Sequence, residues 1–73
     1  MKKYTNILRE LREDCDLTQS EIAGVLGTTQ QVYARYECGI NELPLRHLQT
    51  LCLYYKVSAD YILGLPRDLK WPR

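Results

Sequence analysis

Apolar positions recur along this chain at helical spacing, and glycines, prolines and capping residues cut the pattern into five short segments. Tyr4, Leu8, Leu11 and Cys15 stand four, three and four residues apart, which predicts one face of a first helix. Arg9, Glu10, Arg12 and Glu13 cover its remainder. This helix is expected to stop near Asp14, with Leu17 entering the core behind it. Thr18-Gln19-Ser20-Glu21 predicts a capping box opening a second helix, because Thr and Glu three apart satisfy each other's backbone donors. Ile22, Ala23 and Leu26 form its apolar stripe, and Gly27 ends it in a left-handed conformation.

Thr28 or Thr29 can cap a third helix running to about Cys38, where Gly39 stops it. Pro44 suits the first turn of a fourth helix with a broad apolar face of Leu45, Leu48, Leu51, Cys52 and Tyr55. Ser58 can cap a short fifth helix, Ala59 to Leu63, closed by Gly64 and Pro66. No alternating run persists for four residues, so nothing reads as a strand. The expected fold is all-α, a compact five-helix domain.

Two helices joined by a short turn containing Gly outline a helix-turn-helix. Ala23 is small enough to let the second helix approach the third, and Gly27 permits the sharp turn between them. With Gln30 at zero, Ala34 falls near about 40°, Gln31 near about 100° and Arg35 near about 140° on the third helix. Thr29, Val32, Tyr33, Tyr36 and Glu37 occupy the remaining arc. One side can therefore pack, and the other carries two amides, a guanidinium and a methyl. Gln can pair with adenine, Arg reads guanine, and an Ala methyl tolerates a thymine methyl. Tyr33 and Tyr36 are expected to pack rather than stack on bases, and a buried Tyr hydroxyl is expected to find a partner.

The 73 residues, 45% hydrophobic and 26% charged, suit one domain, read as residues 1–65 with a C-terminal tail at 66–73. A chain this short buries only roughly 60% of its unfolded surface, which leaves little depth for a catalytic cleft. Cys15 or Cys38 with His47 lacks a third, orienting group, so no enzyme is expected. The longest apolar run, Leu51 to Tyr55, is far short of the ~20 residues of a membrane-spanning helix, and no apolar stretch follows Lys2 and Lys3.

The net charge of +1 names no partner by itself. Cys15, Cys38 and Cys52 include no C-x-x-C pair, and His47 lies five residues before Cys52. Ordinary thiols in a reducing cytoplasm are expected, with no metal and no cofactor.

Leu8, Leu11 and Arg12, the Thr18-Gln19 start, Glu21-Ile22-Ala23, Leu26 to Gln31, Tyr36-Glu37-Cys38-Gly39 and Val57 to Gly64 together resemble the helix-turn-helix domain of phage repressors and Cro proteins. That domain is also found in many small bacterial regulators. The resemblance spans residues 4 to 65 and implies specific roles. Gln19 would contact a DNA phosphate and brace the amide that follows it into the groove. Gln30 and Gln31 would touch base edges, with Thr29 beside the backbone or a thymine methyl. Ala34 lies on the same face, and Arg35 would reach a further base or a phosphate. Arg12 and Glu37 would form an interior ion pair linking the first and third helices.

The resemblance further implies a cytoplasmic, sequence-specific reader of double-stranded DNA, acting as a homodimer and repressing by occlusion of a promoter. No membrane and no small-molecule substrate are expected. Ile40-Asn41-Glu42-Leu43 carries no Lys or Arg, so backbone N–H groups around residues 40 to 46 would grip phosphates, with weak monomer binding and a shallow salt dependence. The alternative is a protein-interaction module on the same fold, an antitoxin or adaptor. Tyr54, Tyr55 and Tyr61 are core or dimer contacts, and Trp71 in the tail can dock on a second subunit.

Overall fold

Local chemistry sets the helix ends. A computed structural model describes residues 3–65 as α1 (Tyr4–Asp14), α2 (Gln19–Leu26), α3 (Gln30–Cys38), α4 (Leu45–Tyr55) and α5 (Ala59–Leu63), with no strand among the described residues. The tail at 66–73 lies outside them. The capping box at α2 is complete: Glu21 N donates to Thr18 Oγ1 at 3.1 Å, and Thr18 N donates to Glu21 Oε1 at 2.9 Å. Thr29 caps α3, its hydroxyl oxygen accepting from Val32 N at 3.3 Å. Gly27 and Gly39 close α2 and α3 at φ 71° and 79°, a region costly for residues with a Cβ.

α3 packs on α1 and α2, α4 on α2 and α5, and α5 back on α1. The core they enclose comprises Leu8, Ile22, Ala23, Leu26, Tyr33, Tyr36, Leu48, Leu51 and Ile62. Burying one such aliphatic side chain contributes about 1.5–3 kcal/mol. Leu17 packs against this core from the α1–α2 turn, as its spacing predicts.

Several expectations require correction. Cys15 shares the angular face of Leu8 but is exposed, because the chain reverses through Asp16 (φ 57°) and Leu17, not Cys15, reaches the core. Ile7 is buried instead. Pro44 is the N-cap of α4, extended at ψ 150°, rather than part of its first turn. Leu45 is 77% exposed. With His47 at zero, the buried Leu51 and Leu48 lie near about 40° and 100°, whereas Leu45 falls near about 160°, past the edge of the packed arc. Ser58 stands at the N-cap of α5 but makes no capping hydrogen bond. The hydroxyls of Tyr33 and Tyr55 are buried with no partner in hydrogen-bond geometry, although that of Tyr33 lies close enough to the Glu37 carboxylate to interact with it.

His47 is buried, a position that spacing to Cys52 did not reveal. Its ring stands 5.8 Å from that of Tyr36, which in turn meets Tyr33 edge-on at 6.3 Å. Burial lowers the His47 pKa below its ordinary value, and the neighbouring Arg46 charge adds to the effect.

Candidate nucleic-acid interface

α3 divides along its length. Gln30, Gln31 and Arg35 are exposed, while Tyr33, Tyr36 and Glu37 on the remaining arc are buried. Ala34, between Gln30 and Gln31 on the same face, is half-buried, so only part of its methyl is open to a groove. Thr29 is exposed at the N-cap. Its hydroxyl oxygen accepts from Val32 N, which leaves the hydroxyl hydrogen free to donate outward. The packing of Tyr33 and Tyr36 thus sets the rotation of α3 and turns the amides and Arg35 to one side.

Behind this face, one carboxylate ties three helices together. Arg12 Nε on α1 donates to Glu37 Oε2 at 2.7 Å, and Arg12 Nη2 donates to Oε1 at 3.2 Å. Gln19 Nε2, at the start of α2, donates to the same Oε1 at 3.2 Å. Arg9 Nε stands 4.0 Å away. Arg12 also holds the carbonyl of Leu17 at 2.9 Å, which secures the turn into α2. The Glu37 side chain is only 2% exposed. Burial pushes its carboxyl up, but the polar hydrogens of Arg12, Tyr33 and Gln19 and the Arg12 charge outweigh burial and hold it below its ordinary range. The hydrogen bond to Glu37 raises Arg12 in turn. For the buried Tyr33 hydroxyl, burial first and then this carboxylate push the pKa up.

Gln19 therefore does not share the open arc of Gln30, Gln31 and Arg35: it is half-buried and committed at one end to Glu37. Sequence spacing leaves this link unseen, since 18 residues separate the two. The Arg12 guanidinium is spent internally and adds no free cation to the surface. Within residues 3–65, six basic side chains (Lys3, Arg9, Arg12, Arg35, Arg46 and Lys56) stand against eight acidic ones.

The backbone donors between α3 and α4 are also fewer than expected. Ile40 N and Asn41 N both donate to Arg35 O, and Leu43 N donates to the Tyr4 hydroxyl. Of residues 40 to 46, the N–H groups left free to meet a phosphate are those of Glu42, Leu45 and Arg46, the last two in the first turn of α4. Arg46 itself is exposed there, a cation that inspection of residues 40 to 43 passes over.

A family model described as helix-turn-helix matches residues 8–62, from the core of α1 into α5. The chain belongs to the Cro/C1-type helix-turn-helix family. Its members are transcriptional regulators, not enzymes. A relative in Bacillus subtilis (strain 168), the uncharacterized HTH-type transcriptional regulator YobD, is 40% identical over 65 residues, or 89% of this chain and 58% of its own length. The crystal structure of a transcriptional regulator from Listeria innocua superposes with a TM-score of 0.84 at 22% identity, covering 97% of this chain and 65% of that one. This helix-turn-helix chain thus spans about three fifths of the length of these relatives. Among its described residues, no helix is long and apolar enough to cross a membrane, and no group of three His, Cys, Asp or Glu side chains could hold a metal.

Proposed function

We propose that this helix-turn-helix chain is a sequence-specific double-stranded-DNA-binding regulator that enters the major groove with α3. The observation that carries this reading is the division of α3: Gln30, Gln31 and Arg35 exposed on one arc, with Tyr33, Tyr36 and Glu37 buried on the other. Gln30 and Gln31 would meet base edges from the first turn of the helix, and Arg35 a base or phosphate one turn later. Thr29, through its free hydroxyl hydrogen, and Gln19 would meet the backbone, joined by Arg46 and the amides at the start of α4. Ala34, half-buried, lies between Gln30 and Gln31 on this surface.

The working form would be a cytoplasmic homodimer with two recognition helices about one turn of DNA apart. The small supply of free cations supports this, since two weak half-sites gain affinity by being linked. Leu45 and Leu53, 77% and 79% exposed on α4, are apolar surface suited to such a contact. Repression by promoter occlusion is the corresponding mode of action.

Selection of bound duplexes from a random pool at low salt tests the reading. A two-fold symmetric site with half-sites about 10–10.5 base pairs apart is the expected outcome. Replacing Gln30, Gln31 and Arg35 together by Ala should abolish the enrichment while leaving the helical content intact. The near-neutral charge of the chain, +1, and the lack of Lys or Arg at residues 40–43 favour one second reading, an interaction module such as an antitoxin or adaptor. Absence of any enriched sequence from folded protein would select it.

A further inference from the structure

We infer that Glu37 is a positioning residue for DNA recognition, acting through the side-chain amide of Gln19. This rests on the proposal that Gln19 meets a phosphate. An unrestrained Gln can present either end of its amide, because oxygen and nitrogen differ little in size. Here the choice is fixed. The acceptor facing the amide is a carboxylate, 2% exposed, and only the NH2 end can donate to it.

The consequence follows from counting donors. Gln19 Nε2 carries two hydrogens, of which one goes to Glu37 Oε1 at 3.2 Å. One N–H and the carbonyl oxygen remain. A phosphate accepts only, so the remaining N–H suits it, while the carbonyl can accept from a neighbouring donor such as a recognition-helix amide. Rotated by half a turn, the amide would set its carbonyl against a carboxylate, two acceptors without a shared proton. Glu37 therefore holds Gln19 in its donating orientation before DNA arrives. The restraint is itself rigid, because Arg12 fixes both oxygens of Glu37 at 2.7 and 3.2 Å. Part of the ordering cost of a long side chain is met in the free protein.

A double-mutant cycle on DNA affinity tests this, using a duplex selected by the unaltered chain. Glu37→Gln, Gln19→Ala and the double variant are compared with it, each with thermal unfolding measured alongside. Glu37→Gln should weaken binding about tenfold, the equivalent of about 1.4 kcal/mol, in the presence of Gln19 and less than about twofold in its absence. An equal loss in both backgrounds would overturn the inference and make Glu37 a scaffold residue only.

Should Glu37→Gln fail to fold, the unaltered chain supplies the second readout. The side-chain N–H resonances of Gln19 should shift as acid titrates Glu37, whose other neighbours are Arg12, Arg9 and Tyr33. Resonances indifferent to that titration would also overturn it. Failure of the unaltered chain to bind any duplex is a distinct result, which removes the DNA reading itself and this inference with it.

Discussion

Replacing Arg12 by Met removes three hydrogen bonds at once, two to Glu37 and one to the Leu17 carbonyl. It leaves a carboxylate that is 2% exposed with one neutral donor, Gln19, and with Arg9 at 4.0 Å. An uncompensated buried charge typically costs about 3–5 kcal/mol. Arg9 is 48% exposed and recovers at most about 1 kcal/mol, so the expected loss is about 2–4 kcal/mol. Small domains have urea m-values near about 1 kcal/mol/M, so the urea midpoint should fall by about 2–4 M.

The companion variant replaces both Arg12 and Glu37 by Met. It removes the orphaned charge along with its partner and should recover at least half of the loss. Chemical denaturation of the two variants at pH 7, repeated near pH 3.5, is the assay. With Arg12 gone, burial favours the protonated carboxyl, so the penalty of the single variant should shrink at the lower pH. A single variant within about 1 kcal/mol of the parent would refute the reasoning, as would a double variant no better than the single. Either result would show that Glu37 is solvated in solution.

Other expectations follow from the core, the turn and the titratable groups. Leu51→Ala should cost about 2–5 kcal/mol, whereas Leu53→Ala, at a site 79% exposed, should change monomer stability by less than about 0.5 kcal/mol, both read from urea midpoints. Gly27→Ala should cost about 1–2 kcal/mol with helical content retained, because φ is 71° and nothing lies within 4 Å of the added methyl. A thermal scan showing no loss there would mean the turn relaxes. For pH, His47 and Glu37 both have native pKa values below their ordinary 6.5 and 4.5. Their contributions are therefore fully present above those ordinary values and are lost as pH falls through the native ones. Melting temperature should decline first below about pH 6.5 through His47 and again below about pH 4.5, and His47→Gln should remove the first step only.

The helix ends were legible because their determinants are local. Thr18 and Glu21 cap each other three residues apart, and Gly27 and Gly39 stand where the backbone turns left-handed. Angular placement on α3 was legible too, since Tyr33, Tyr36 and Glu37 fall on the arc left over by Gln30, Gln31 and Arg35. Periodicity failed at the edges of faces. Leu45 and Cys15 fit an apolar stripe, yet nothing packs over either, because burial depends on which neighbour covers a residue and not on its own angle. His47 shows the converse: a polar residue is buried because Tyr36 provides a wall for its ring. The Gln19–Glu37 bond joins residues brought together only by tertiary packing, and no spacing along the chain encodes it.

Gln30, Gln31 and Arg35 make no side-chain hydrogen bond among the described residues, whereas Glu37 behind them is engaged by Arg12 and Gln19. Base reading and support are thus carried by separate side chains, with Gln19 as the link between them. Exchange of the three outward side chains for other polar residues should leave the helix seated at the same angle, so that a new target sequence could be acquired one side chain at a time without passing through an unfolded ancestor. The same separation makes this small scaffold a workable starting point for rewriting its preference in the laboratory.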